Sequence, residues 1–172
     1  MRKSLIKPTL SIMAASIFFN SAMADNEKEQ THEYWEDKVL LCSHDLLSAK
    51  LIIVNESEQE YRLANLLLSR ASECETNGEV EFYSALLGVR RNEIVYGSMQ
   101  FISLLDNSAE QGNPFALAQL YRISTEEPSK TNQKPGHYKE KFEQERSRRA
   151  DGEYPDFATT LEITRKMFGL AE

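Results

Sequence analysis

The sequence predicts an all-α fold built from antiparallel helix hairpins. Three observations lead there. Apolar residues recur at steps of three and four through most of the chain, the spacing that lines one face of a 3.6-residue helix. Glycine and proline are few, 7 and 5 in 172 residues, whereas a fold of many short strands needs more turn residues. Finally, Gly112-Asn113-Pro114 compresses a helix stop, a cap and a helix start into three residues. Glycine accepts the left-handed cap conformation, the Asn side chain can bond the first free N–H groups, and proline suits the first helical position.

The elements follow in order. Residues 1–24 read as a secretory signal peptide: Arg2, Lys3 and Lys7 form a basic start, Leu10 to Phe19 an apolar run, and Ala22-Met23-Ala24 a small-x-small cleavage site. The apolar run is too short to span a bilayer as a helix. Cleavage is expected before Asp25, leaving 148 residues, one domain's worth. Residues 25–31 read as a loose polar tail, and 32–172 as a single helical domain. Its first helix is expected from about His32 to Val54, with Val39, Cys42, Leu46, Ala49 and Ile53 as a buried seam and Leu40, Leu47, Leu51 and Val54 beside it. Ser57 and Glu60 have the spacing of a capping box for a second helix, Glu58 to about Cys74, with Leu63, Leu66, Leu67 and Ala71 inside. A third helix spans about Glu79 to Arg91, and the basic Arg90-Arg91 pair at its end suits the helix dipole or an acidic contact.

In the fourth helix Val95, Met99, Ile102, Leu105 and Ala109 form one stripe, widened by Ile94, Phe101 and Leu104. The fifth starts at Pro114 and packs through Phe115, Leu117, Ala118, Leu120 and Tyr121. Residues 126–136, bracketed by Pro128 and Pro135, read as a loop. The sixth helix, Tyr138 to Arg149, is mostly charged, with Lys141–Glu145 and Glu145–Arg149 spaced as i,i+4 pairs and only Tyr138, Phe142 and Ala150 apolar. The last, Pro155 to Phe168, is expected to cap the end of the helix stack.

Cys42 and Cys74 are the two cysteines. In an exported chain an even pair reads as one disulfide. Their midpoint is residue 58, in the expected turn, so an antiparallel hairpin brings them face to face. Such a bridge closes a loop of about 30 residues and stabilises by roughly 3–4 kcal/mol in the loop-entropy account. Two free or metal-bound thiols are the alternative. His44 near Cys42 is weak evidence for zinc without a second such pair, and His32-Glu33 lacks the second histidine of a metalloprotease helix.

Tyr83 to Gly88, then Gly88-Val89, Asn92 and the closing Ser108-Ala109-Glu110-Gln111-Gly112, together with the following Asn, Ala and Leu, resemble the Sel1-like repeat, a relative of the tetratricopeptide repeat. The resemblance covers about one unit and the start of a second. It departs in a second helix about one turn longer than usual and in Ser108 where the family has alanine. It implies helix hairpins stacked as a short right-handed solenoid of about seven helices, with a shallow concave face.

The net charge is −7, and −10 once the three basic leader residues are set aside. That balance argues against nucleic acid and anionic lipid as partners. No Gly-x-Ser-x-Gly, phosphate loop or metal-ligand cluster is present, so the chain reads as a non-enzyme with no cofactor and no metal. The expected function is a periplasmic protein-binding module, an adaptor or assembly factor of the envelope, whose partner is another protein with, in one version, a basic surface. Tyr83, Arg90, Arg91, Tyr96 and Arg122 are the candidate contacts, because aromatic and Arg side chains dominate interface energetics. The competing reading is an immunity protein that neutralises a toxin acting in the periplasm, such as a secreted phospholipase, with its acidity steering association. A hydrolase is the third and weakest reading.

Overall fold

A computed structural model describes residues 38–74, 77–148 and 154–170. The expected leader, the expected tail and the expected start of the first helix lie outside the described residues. The account below is of the compact unit that begins at Leu41. Among the described residues the chain is all-α: seven α-helices, two 3-10 turns and no strand.

Helix α1 (38–54) buries Cys42, Leu46, Ala49 and Ile53, the predicted seam without Val39, which is exposed. It ends on Glu56 in the left-handed region, φ 57°, where Glu56 and Ser57 donate their N–H groups to the Ile53 and Ile52 carbonyls at 3.2 and 3.1 Å. That double bond pattern satisfies carbonyls the helix end would otherwise leave free. Glu58–Glu60 is a 3-10 turn, and Ser57 makes no side-chain cap bond, so the capping box expected there is not formed. The second helix, α2 (Tyr61–Ala71), is shorter than expected because the 3-10 turn takes its first residues. It buries Tyr61, Ala64, Leu67, Leu68 and Ala71. Leu63 and Leu66, expected inside, are instead 47% and 54% exposed. Cys42 and Cys74 stand at disulfide distance, Cα atoms 6.2 Å apart. One turn further along, Arg70 Nε meets Asp45 Oδ2 at 2.9 Å. Together they lock α1 and α2 side by side.

Helix α3 (Glu79–Arg90) is buried nearly all round, through Val80, Phe82, Tyr83, Ala85, Leu86, Leu87 and Gly88, as suits a helix with neighbours on several sides. Its start is seated on the end of α4 (Met99–Glu110). Ser108 Oγ donates to the Gly78 carbonyl at 2.6 Å and Gly78 N–H donates to Gln111 Oε1 at 3.1 Å. Gly78 has φ +75°, and a Cβ there would lie 2.3 Å from the Ser108 carbonyl oxygen. The small Ser108, fully buried, is what lets the two helix ends touch.

α4 is shorter than the stripe suggested. Asn92 and Gly97 both take positive φ, 57° and 72°, and residues 91–98 form an irregular connection. Ser98 then caps α4 by accepting from Phe101 N–H at 3.3 Å. Val95 and Met99 therefore fall outside the buried seam, 75% and 89% exposed. Gly97-Ser98 was a stop and a cap hidden inside an apparently continuous period.

The Gly-Asn-Pro junction behaves as predicted. Gly112, φ +86°, and Asn113 donate to the Ala109 and Ser108 carbonyls at 3.0 and 3.1 Å. Asn113 Oδ1 accepts from Phe115 and Ala116 N–H at 3.0 and 3.1 Å, and Pro114 opens α5 (Pro114–Glu126). A 3-10 turn, Pro128–Lys130, sits inside the expected loop. α6 (Pro135–Ser147) starts three residues early, on the proline. Its buried residues are Tyr138 and Phe142, and Glu145 pairs with Arg148 at 2.8 Å; Arg149 lies outside the described residues. α7 (Phe157–Met167) is capped by Asp156, whose carboxylate accepts from Thr159 N–H at 3.0 Å.

α5 is the hub, packed against α4, α6 and α7. α7 does not extend the series as an end cap. Phe168, just past its end, stacks within 5.3–5.8 Å of the Phe82, Tyr96 and Phe101 rings. Phe157, at its start, meets Tyr121 and Phe142 at 4.9 and 5.1 Å. The aromatic ends of α7 thus pull it back across α3, α4 and α5.

Candidate partner-binding face

The sequence placed the candidate contacts at Tyr83, Arg90, Arg91, Tyr96 and Arg122. Tyr83 is buried, 6% exposed, edge-on to Phe82 at 5.3 Å. Burial, then Glu79 and Tyr154, push its hydroxyl up to about 12. Tyr96 accepts hydrogen bonds on its hydroxyl from Gln119 and Arg122, and its ring packs on Phe101 at 4.8 Å. Burial raises its hydroxyl above the usual range against the opposing pull of Arg122. Arg122 is spread over that ring at 5.5 Å, with 13% of its side chain exposed.

Arg90 donates to the Ile53 carbonyl and, at 3.1 Å, to the Met167 carbonyl. It also meets Glu56 at 3.3 Å. The carbonyls at the ends of α1 and α7 attract a cation because the helix dipole concentrates negative charge there, and the Ile53 carbonyl accepts from Arg90 as well as from Glu56 N–H. Arg90 therefore ties three helix ends together. Arg91 alone of the five faces outward enough to pair at the surface, with Glu93 at 2.6 Å. The five do not form one patch. Four of them are occupied inside the fold, and α7 covers the side on which Tyr96 and Phe101 lie.

A different surface has the features of a docking site. On α1, Leu41, Leu47, Leu51 and Val54 are 49–58% exposed; on α2, Leu63 and Leu66 are 47% and 54% exposed. Leu47, Leu51 and Val54 recur at steps of four and three, a second seam on the side of α1 away from the core stripe. The register set by Cys42–Cys74 and Asp45–Arg70 brings Leu51 to the level of Ala64 and Asn65, between Leu63 and Leu66, and Ser48 to that of Leu67 and Leu68. Between Leu41 and Val54 only Asp45 and Lys50 carry charge. Both are turned to the flanks, Asp45 to Arg70 at 2.9 Å and Lys50 to Glu79 at 2.7 Å. The outer face of α1 is thus apolar apart from polar groups such as Ser48 and His44, in a chain whose charge is −7.

The chain also has a small cleft of about 190 Å³ where α4, α5 and α6 meet, lined by Asp106, Glu110, His137, Tyr138 and Lys141. Burial, and then the neighbouring Glu110, raise the Asp106 carboxyl above the ordinary carboxylate range. Its volume is below the ~300 Å³ at which pockets for drug-sized ligands begin. Among the described residues no group of three His, Cys, Asp or Glu side chains is placed to hold a metal ion, and no helix is long and apolar enough to cross a membrane. No family model, curated protein or solved structure matches the chain.

Proposed function

We propose that the chain is a non-enzymatic protein-binding module of the cell envelope, engaging its partner through the outer face of the α1–α2 hairpin. The observation that carries this reading is the half-exposed apolar seam of Leu47, Leu51 and Val54 flanked by Leu63 and Leu66, on a helix face without charge. Six such side chains amount to roughly 500 Å² of apolar surface, near the upper end of the ~300–600 Å² patch that monomers carry and that is often functional. Clipping α1 to α2 at Cys42 and Cys74 supports the reading, because a preformed surface loses less entropy on binding. The leader-like start of the sequence supports the periplasm as its compartment. Membership of the Sel1-like repeat family belongs to the same proposal, supported by the small, cap-forming Ser108 to Gly112 segment.

The immunity-protein reading keeps one observation in its favour, the −10 net charge beyond the leader. It requires association that weakens steeply with salt, whereas an apolar face binds with little salt dependence. The experiment is capture from an envelope extract with the mature, oxidised chain, alongside a Leu47→Glu/Leu51→Glu variant. A partner held by the parent, salt-insensitive and lost in the variant, supports the module. A partner held equally by both removes the α1–α2 face from the account.

A further inference from the structure

We infer that the occupant of this face is a second copy of the chain, docked α1 against α1 about a twofold axis passing between Leu47 and Ser48. The inference rests on the reading that this face binds protein, and it names the partner.

Three observations converge. The first is area. A stable interface takes about 800 Å² from each partner. The roughly 500 Å² of apolar surface on α1 and α2, widened by His44, Ser48 and Asn55 beside it, supplies that order of area from one rigid hairpin. The second is charge. Beyond its leader the chain carries −10, so two copies repel at most approaches. The outer face of α1 is where acidic copies can meet with no like charges opposed, since Asp45 and Lys50 are turned to Arg70 and Glu79. A basic partner would find no carboxylate there to recognise.

The third is self-complementarity, which a twofold contact demands. Antiparallel pairing about that axis sets Leu47 against Ser48, Leu51 against His44 and Val54 against Leu41. Each large side chain meets a smaller or polar one, or another aliphatic. The small Ser48 beside Leu47 leaves a groove for the opposing Leu47, the condition for close packing of two helices.

The test is sedimentation equilibrium of the mature, oxidised chain over a dilution series, with Leu47→Glu/Leu51→Glu and Met99→Glu variants. Met99 is exposed on another element and serves as the control. The parent and the Met99 variant are expected to be dimers. The double variant should dissociate at least about 100-fold more readily, since each glutamate replaces a buried leucine with an unpaired charge. Unchanged far-ultraviolet circular dichroism would show that it still folds. A second measurement does not disturb the apolar contact: Ser48→Cys should cross-link covalently to itself under mild oxidation, while Thr125→Cys, exposed at the far end of α5, should not. A parent chain that stays monomeric at every concentration overturns the inference. So does a dimer indifferent to Leu47→Glu/Leu51→Glu. A monomer whose capture of another protein is abolished by the same variant overturns only the second copy and leaves the binding-module reading standing. A monomer with no capture that depends on this face removes both.

Discussion

Replacing Gly78 with alanine should be among the most damaging single-methyl changes in the chain. Two penalties add. Gly78 holds φ +75°, and a side chain in the left-handed region costs about 1–2 kcal/mol. The new Cβ would also lie 2.3 Å from the Ser108 carbonyl oxygen and 2.9 Å from its Cα. Those are backbone atoms in the last turn of α4, so no side-chain rotation relieves the overlap. Overpacking of this kind costs about 1–3 kcal/mol. Relief by separation breaks the Ser108 Oγ–Gly78 carbonyl bond of 2.6 Å and the Gly78 N–H–Gln111 bond of 3.1 Å. The expected loss is about 3–4 kcal/mol, or a fall in Tm of about 6–15 °C for a chain of this size. Urea denaturation followed by circular dichroism measures it. Gly136→Ala is the matched control: it lies in α6 with nothing within 4 Å of a new Cβ and should be neutral or stabilise by up to about 1 kcal/mol. If Gly78→Ala lies within about 1 kcal/mol of the parent, the seating of α3 on the end of α4 is wrong.

Three further outcomes are expected. Reducing the Cys42–Cys74 link, or replacing both cysteines with alanine, frees a loop of separation 32 and should lower stability by about 3–4 kcal/mol; mass mapping under non-reducing conditions should find the linked peptides, and two alkylatable thiols in the native chain would contradict it. Arg90→Ala should cost about 2–4 kcal/mol, because charge-assisted bonds to the Ile53 and Met167 carbonyls are lost together; Arg90→Lys should recover only part, since one ammonium cannot reproduce the guanidinium fork, and full recovery would refute the three-way tie. Tyr83 gives a pH signature. Its folded value, about 12, exceeds the ordinary 10.0, so between the two the folded state holds a proton that the unfolded state has lost. Stability must therefore fall as pH rises through that window. Tyr96 and Tyr138 are also raised by burial, so ultraviolet titration should show several late tyrosines, of which the Tyr83 component is lost in Tyr83→Phe; an unshifted titration of all seven tyrosines would refute its burial.

Much of the fold was legible because local chemistry and tertiary packing agree. The core stripe of α1 from Cys42 to Ile53, and the stop, cap and start at Gly112-Asn113-Pro114, are dictated by period and backbone preference alone. The misreadings share one cause. A 3.6-residue period records apolar spacing but not whether the backbone continues through it. Ile94, Val95 and Met99 kept the period across Gly97, although Gly97 and Ser98 together spell a left-handed residue and an N-cap. Ser57 and Glu60 had the spacing of a capping box, yet the chain leaves α1 through a left-handed Glu56 and spends Glu58–Glu60 in a 3-10 turn. Phe157 and Phe168 are legible as apolar docking residues of the last helix, but the rings they meet lie far off in sequence, and no local pattern encodes that pairing.

The candidate contact residues are, with the exception of Arg91, engaged within the fold, and a second signal lies in the same sequence. Tyrosine and arginine dominate interfaces because they combine apolar bulk with polar reach. A small helical fold needs that combination internally, as at helix ends. Arg90 is used there, and Tyr96 bonds to Arg122 and to Gln119, so Arg90, Tyr96 and Arg122 are all partly buried and engaged within the fold. The second signal is a surplus. α1 has more aliphatic residues than one core stripe can bury: Leu41, Leu47, Leu51 and Val54 remain after Cys42, Leu46, Ala49 and Ile53 are placed. In a chain with 27 acidic residues, fourteen consecutive positions from Leu41 to Val54 hold one acid, and that acid faces Arg70. A monomer in water has no physical need for a second apolar seam on a helix already anchored by the first. Exposed leucines at helical spacing, kept clear of charge, are explained when something covers them, and that is the ground on which the hairpin face is proposed over any cluster of tyrosine and arginine.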